Sequence, residues 1–213
     1  MTTELQTPNA LAPQGVFFIL GASGSGKGTL ANTLLEAKQI EAHLSMGDLL
    51  RARQFNPSLE MELSGDIPSG FSSRSAFLAH AVQAGLLIPD AWTQSIVENE
   101  LVHISPKLLW AFDGYPRSPA AATHLLETLE QQQIPCLGVV HLELDFLEMQ
   151  RRLLLRGRAD DTPSGIANRY QFYLKSVVPS LETLRKTIPI LSLNACLEPR
   201  VLAEAVCNWL NRR

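Results

Sequence analysis

Short, uninterrupted apolar runs recur along the chain at residues 16–20, 107–113, 137–144 and 188–193, with a weaker one at 42–44. Each is short and bounded by turn residues. Continuous runs of this length predict strands buried on both faces. Between them the apolar spacing changes to a helical period. Residues 89–102 and 145–155 read as helices, the second placing Phe146, Met149 and Leu153 along one side. The stretch after Asp160-Asp161 has the clearest helix start. Thr162 is placed to cap it, Pro163 suits the first turn, and apolar positions follow at Ile166, Tyr170, Val177 and Leu181. Pro179 falls inside that pattern and should kink or divide the helix, because it lacks an N–H and crowds the preceding turn. Strands alternating with helices predict an α/β fold, a parallel sheet with helices on both faces.

Two regions stand outside the pattern. Residues 1–14 are polar and hold two prolines, as a flexible leader would, and residues 55–75 are rich in Ser, Pro and Gly, as in an extended loop or small lobe. Composition narrows the picture further. A length of 213 residues suits one domain with a substantial core, and a net charge of −3 is a poor basis for holding a long nucleic acid. No apolar run approaches the ~20 residues needed to cross a bilayer. The N-terminal segment has neither the basic n-region nor the apolar h-region of a secretory signal. Cys136, Cys196 and Cys207 are odd in number, widely spaced and without a CxxC pair, so neither a disulfide framework nor a structural zinc site is indicated. A reducing cytoplasm is the expected compartment. Trp92, Trp110 and Trp209 are expected to pack, and the five histidines show no metal-like spacing such as HxxxH.

The densest chemistry follows the first apolar run, where Gly21-Ala-Ser-Gly-Ser-Gly-Lys27-Gly28-Thr29 opens a helix. Glycines let backbone N–H groups turn inward around a phosphate, the helix N-terminus adds its dipole, and a lysine reaches the outer phosphates. A glycine-rich turn that binds nothing is the alternative. The strict GxxxxGK[ST] pattern is not met, because Gly28 follows the lysine and the hydroxyl comes one place later, at Thr29.

GKGT in place of GK[ST] resembles the nucleoside monophosphate kinases, and four further segments follow in that family's order. His43-Leu-Ser-Met-Gly-Asp48-Leu-Leu-Arg51 is similar to the motif that opens the monophosphate-binding lobe, and Gly85-Leu-Leu-Ile-Pro89-Asp90 to the GxLVPD segment that closes it. Trp110-Ala-Phe-Asp113-Gly-Tyr-Pro-Arg117 resembles the DG(F/Y)PR motif at the end of the third strand. Arg156-Gly-Arg158-Ala-Asp160-Asp161, with Arg169 and Pro179 in register behind it, resembles the arginines around a short lid. On these motifs, from about Val16 to the C-terminus, the chain is identified as a member of the P-loop nucleoside monophosphate kinases, nearest the adenylate kinases of the short-lid type.

The resemblance implies a five-stranded parallel sheet with helices on both faces, in a single kinase domain over 15–213. Its core would be 15–45, 105–155 and 160–213, with a helical monophosphate lobe at about 46–90 carrying an insertion at 55–75, and a very short lid at about 156–160. It implies reversible, Mg²⁺-dependent transfer of the ATP γ-phosphoryl group to a nucleoside monophosphate, AMP foremost (ATP + AMP = 2 ADP), by a monomer without zinc. Such transfer needs in-line positioning and positive charge, and no covalent intermediate. By resemblance Gly24, Ser25, Gly26, Lys27, Gly28, Thr29 and Arg156 hold ATP, and Asp113 holds Mg²⁺ through water, with Thr29 at the metal or a phosphate. Met46, Arg51, Leu87, Ile88, Gly114, Arg117, Ala121, Arg158 and Arg169 contact the monophosphate. Lys27, Arg117, Arg156, Arg158 and Arg169 stabilise the migrating charge. Arg51 and Arg117 suit the acceptor's phosphate because a guanidinium forks onto two oxygens. Asp160 and Asp161 are placed to fix lid arginines, although Asp160 equally reads as solvated just ahead of the Thr162 cap, and Arg151, Arg152 and Arg200 read as solvated.

Two positions depart from the family pattern. Met46 stands where adenylate kinases usually carry Thr, and Ala121 where they carry the Gln that reads the adenine edge; the pyrimidine-specific relatives usually have Ala and Asn. Two alternatives therefore accompany AMP phosphorylation. One is a pyrimidine (UMP/CMP) or relaxed-specificity kinase, and the other a nucleotide-binding sensor or partner protein that has lost transfer. The insertion at 55–75 either supplies substitute base contacts or is a tolerated surface loop. A lid this short implies weaker exclusion of water and some hydrolysis of the donor.

Overall fold

The computed structural model describes residues 13–53, 63, 65–84, 86–158 and 161–213. The expected leader up to residue 12, residues 54–62 and 64 of the proposed insertion region, Gly85 of the lobe-closing motif, and Ala159 and Asp160 of the proposed lid lie outside the described residues.

Five parallel strands form one sheet: β1 (Gly15–Gly21), β2 (Ala42–Ser45), β3 (Leu109–Asp113), β4 (Cys136–Glu143) and β5 (Ile190–Asn194), in the order β2-β3-β1-β4-β5. Composition assigns the positions. The three central strands carry the continuous apolar runs, and Val16 to Leu20 and Leu109 to Asp113 are buried throughout. The edge strands, Ala-His-Leu-Ser and Ile-Leu-Ser-Leu-Asn, mix polar with apolar residues and are only partly covered. Chain order reverses on either side of β1, so the crevice beyond its carboxyl end is where a ligand of an open α/β sheet binds.

The helices are α1 (Lys27–Glu36), α2 (Met46–Arg53), α3 (Arg74–Ala84), α4 (Asp90–Val102), α5 (Pro119–Gln131), α6 (Phe146–Arg156), α7 (Pro163–Phe172), α8 (Val178–Leu184) and α9 (Pro199–Leu210). Several begin on side-chain caps that satisfy otherwise orphaned N–H groups. Ser118 accepts from Ala121 N at 3.0 Å, Asp145 from Glu148 N at 2.9 Å, and Thr162, as expected, from Gly165 N at 3.1 Å. Pro119 and Pro163 occupy the first turns behind two of these caps. The expected break at Pro179 takes another form. The chain stays helical but widens into a π-helical turn at Tyr173–Val177, and Pro179 falls in the first turn of α8. Widening the turn ahead of a proline accommodates the missing N–H without ending the helix. His141 on β4 meets the Tyr173 hydroxyl at 2.8 Å and ties this turn to the sheet.

The core fills the space between sheet and helices. Phe18, Phe112 and Tyr115 stack in series with centroids 6.0 Å apart at each step, and Trp110 joins Phe112 at 6.3 Å. Trp92 and Trp110 are completely buried, while Trp209 is half-buried beneath the Arg213 guanidinium at 4.9 Å. Among the described residues no helix is long and apolar enough to cross a membrane.

Candidate active site

Residues 21–29 join β1 to α1, the connection at the sheet's switch point. Gly26 caps α1 with φ 89°, a left-handed conformation that a side chain would strain. Lys27 begins the helix, and its ammonium donates to the carbonyls of Gly21 at 3.1 Å and Ala22 at 2.9 Å. Burial pushes its pKa down from 10.5 to about 8; Asp113 opposes that shift, and Arg117 and Arg156 add to it.

The parallel register sets Asp113 opposite Ile19 on one side and Ser45 on the other. His43 and Ser45 are two residues apart on β2, so both side chains leave the same face of the strand and reach this one carboxylate. His43 Nε2 lies 2.8 Å from Asp113 Oδ2, and Ser45 Oγ donates to Oδ1 at 3.3 Å. Asp113 is buried. Immediately after it, Gly114 adopts φ 75°, and a Cβ there would sit 3.1 Å from the Arg117 guanidinium. The arginine can therefore fold back, and its Nε donates to the Gly114 carbonyl at 2.6 Å. Burial lowers the pKa of Arg117; Asp113 resists, while Arg51 and Arg169 lower it further.

Asp161 organises the opposite wall. Its side chain is 1% exposed and accepts from Arg156 at 2.9 and 2.6 Å and from Arg169 at 2.8 Å. The Arg158 backbone N–H adds a fourth hydrogen bond at 3.2 Å. Burial alone would raise this carboxyl's pKa, but the hydrogen bonds and charge of Arg156, with Arg158 N–H and Arg169, hold it below its ordinary 3.8. One carboxylate thus fixes the end of α6, the segment beyond it and the middle of α7. Gly157, left-handed at φ 65°, lets the chain turn off α6 to do so.

These groups share a cleft of about 630 Å³ lined by seven cations (Lys27, Arg51, Arg117, Arg152, Arg156, Arg158 and Arg169) against the carboxylates of Asp48 and Asp113. Such an excess at one site suits a ligand with several negative charges, held in line. Of the residues singled out in the sequence, Gly24, Gly26, Gly28, Thr29, Ile88 and Gly114 also line it. Four others lie elsewhere. Met46 and Ala121 are completely buried in the core, and Leu87 is 44% exposed, turned away while Leu86 and Ile88 on either side face the cleft. Ser25 is buried, its hydroxyl has no hydrogen-bond partner among the described residues, and it borders a second cavity of about 270 Å³.

One expectation is corrected. Arg152 is not a solvated surface residue. Glu148 holds its Nε at 2.7 Å, and its guanidinium reaches the carbonyls of Gly24 at 3.4 Å and Ala195 at 3.0 Å. It lines both the cleft and the second cavity, whose far wall is residues 195–199. Its spacing of four before Arg156 puts both on one helix face, a signal that could have found it. Arg151 and Arg200 are exposed, as expected. His43 and Ser45 lie at the start of the quoted lobe-opening motif, but their role beside Asp113 was legible only through their spacing of two on a short edge strand. Val82, which also lines the cleft, carried no signal, and Leu86, inside the lobe-closing motif, was not singled out.

The chain was compared with known proteins. The adenylate kinase family model matches residues 19–188. An adenylate kinase of Prochlorococcus marinus is 37% identical over 167 residues, 78% of this chain and 82% of that protein. One of Bifidobacterium longum is 38% identical over 168 residues, covering 77% and 82%, and adenylate kinase 1 of a Nostoc species is 33% identical over 175 residues, covering 82% and 87%.

Proposed function

The chain belongs to the adenylate kinase family of phosphotransferases, and from that premise we propose that its cleft carries reversible transfer of the γ-phosphoryl group from ATP to AMP. The observation that carries this reading is the convergence on one cleft of seven cations from four helices and two connecting segments. Lys27 and the amides at the start of α1 hold the donor's outer phosphates. Arg152, spanning Gly24 and Ala195, offers its guanidinium face to the donor's base at the mouth of the second cavity, where Ser25 also lies. Arg51 and Arg117 fork onto the acceptor's phosphate. Arg156 and Arg169, held by Asp161, and Arg158 beside them meet the migrating group and take up its charge in the transition state.

Mg²⁺ accompanies ATP in this reading. A dedicated protein cage would need several oxygen ligands, and no cluster of three acidic, His or Cys side chains occurs among the described residues. One buried carboxylate facing the phosphate loop fits an ion that arrives with the nucleotide and is held mainly by phosphates and water. When bound, the ion would neutralise phosphate charge, and Asp113, kept in place by His43 and Ser45, would hold its water shell.

In domain terms, α2 and α3 belong to a monophosphate lobe at about 46–90, and the turn after α6 to a lid at about 156–160. The enzyme acts as a monomer in a reducing cytoplasm, where its three free cysteines stay reduced. The test is a coupled assay of the full chain with Mg-ATP and AMP. Turnover that falls to a small residual ATP hydrolysis when AMP is omitted is expected; binding of both nucleotides without AMP-dependent turnover would replace the kinase reading with that of a nucleotide-binding module.

A further inference from the structure

We propose that the acceptor end of the cleft selects a nucleoside monophosphate by its phosphate and by the fit of its base, and not by the base's hydrogen-bonding edge, so that purine and pyrimidine monophosphates are all accepted. This rests on the kinase reading above and extends it to the class of acceptor. The wall is built by Leu50 on α2, Ala81 and Val82 on α3, and Leu86 and Ile88 on the segment leading into α4. All five are aliphatic. Among the described residues no amide or hydroxyl from these elements lines the cleft, and its one amide, Asn32, belongs to α1.

The polar groups around this wall are engaged with one another. Ser45 and His43 are turned to Asp113. Asp48 pairs with Arg51. Ser118 donates to Asp90 at 2.6 Å while accepting from Ala121 N, and the Ala121 carbonyl accepts from the Tyr115 hydroxyl at 3.4 Å. Position 121 thus offers a base neither a side-chain amide nor its own backbone groups, and Met46 is buried in the core.

The magnitudes separate the two modes of recognition. A site that hydrogen-bonds a base edge rejects the wrong base by about 10⁴–10⁵, because its polar groups are left unpaired, whereas an apolar wall distinguishes by size and discriminates by about 10–200-fold. Phosphate recognition by Arg51, Arg117 and Arg169 is the same for every base.

The experiment measures kcat/KM of the full chain for AMP, GMP, CMP and UMP at saturating Mg-ATP, and the Kd of each monophosphate and of adenosine by calorimetry. A spread below about 200-fold across the bases, with adenosine at least about 100-fold weaker than AMP, is expected. A larger spread overturns the proposal, as does adenosine binding as tightly as AMP, or no monophosphate binding at all. Should every monophosphate bind and none turn over, the kinase reading falls and the Kd spread alone decides this one. Placing an amide on the wall by Val82→Asn, or by the more exposed Leu86→Gln should the first not fold, is expected to create a preference of tenfold or more among the bases. An unchanged spread in a folded variant overturns the placement.

Discussion

Replacing Lys27 with methionine separates what this side chain does for the reaction from what it costs the fold. Burial brings its pKa from 10.5 to about 8. A difference of that size corresponds to about 3 kcal/mol, at 1.36 kcal/mol per unit, against keeping the ammonium charged in the folded protein near neutral pH. The hydrogen bonds to Gly21 and Ala22 offset about 1 kcal/mol each. Lys27→Met should therefore stabilise the ligand-free protein by about 1 kcal/mol at pH 7, raising Tm by roughly 2–4 °C for a chain of this size. The pH dependence follows from proton counting. Between pH 8 and 10.5 the unfolded chain binds more protons at this lysine than the folded one, so the native protein gains stability as pH rises through that window. The variant's advantage should shrink there and reverse as the window closes. Activity should move the other way, with kcat lower by several orders of magnitude, because the charge acts mainly in the transition state. Calorimetric melting from pH 6 to 10.5, with a coupled assay at pH 7.5, measures both. A lower Tm for the variant at pH 7, a stability difference that does not vary with pH, or a loss of activity below tenfold would refute the reasoning.

Asp161→Asn should be among the most damaging single changes. It leaves Arg156 and Arg169 facing a neutral amide, for a loss of roughly 3–5 kcal/mol in chemical denaturation and a parallel fall in kcat. Because the Asp161 pKa is held below 3.8, its contribution is present above that value and should be lost as pH falls through the lower folded pKa, which acid unfolding of native protein and variant would compare. Arg117→Ala should raise the monophosphate KM at least tenfold with a smaller effect on the KM for ATP, and Arg152→Ala should do the reverse, as initial-rate kinetics would resolve. His43→Ala should release Asp113 Oδ2 from its partner and raise the Mg²⁺ concentration at half-maximal rate, while Ser45→Ala, removing the longer 3.3 Å bond, should do less.

The central strands could be read before the structure because burial on both faces keeps them mostly apolar, whereas β2 and β5, only partly covered at the edges, mix polar with apolar residues. Predicted and observed strands differ by a residue or two at their ends, as at Leu109, where β3 starts two residues later than the apolar run begins. The helix cap at Thr162 shows a second kind of legibility, in which the local pattern Thr-Pro suffices; Ser118-Pro119 carries the same pattern and was not read. The π-helical turn was not legible. Pro179 marks that something must change, but whether the helix breaks or widens depends on what lies beneath it, here the contact of Tyr173 with His141 some thirty residues earlier in the chain. The site followed the same division. Glycines and lysine in one loop are local and were found. Arg152 was read as solvated because its role depends on two carbonyls far away in sequence, those of Gly24 and Ala195. Leu87 and Ile88 seemed equivalent until the extended backbone sent them to opposite sides.

The electrostatics connect these observations. Seven cations lining one cleft repel one another, and only a few carboxylates are positioned to offset them. Asp161 binds two of the arginines and Asp113 stands near Lys27 and Arg117, yet burial and neighbouring cations still hold the pKa values of Lys27 and Arg117 down. The fold therefore carries unfavourable charge that its own groups do not cancel, and the small net charge of −3 conceals it because only Asp48 and Asp113 of the acids line the cleft. A polyphosphate bound in the cleft as proposed would supply the missing negative charge at the point where the repulsion is concentrated. Its binding should relieve the cost at Lys27 and Arg117 together, so the same arrangement that weakens the ligand-free protein makes nucleotide affinity depend on phosphate charge more than on any contact with a base.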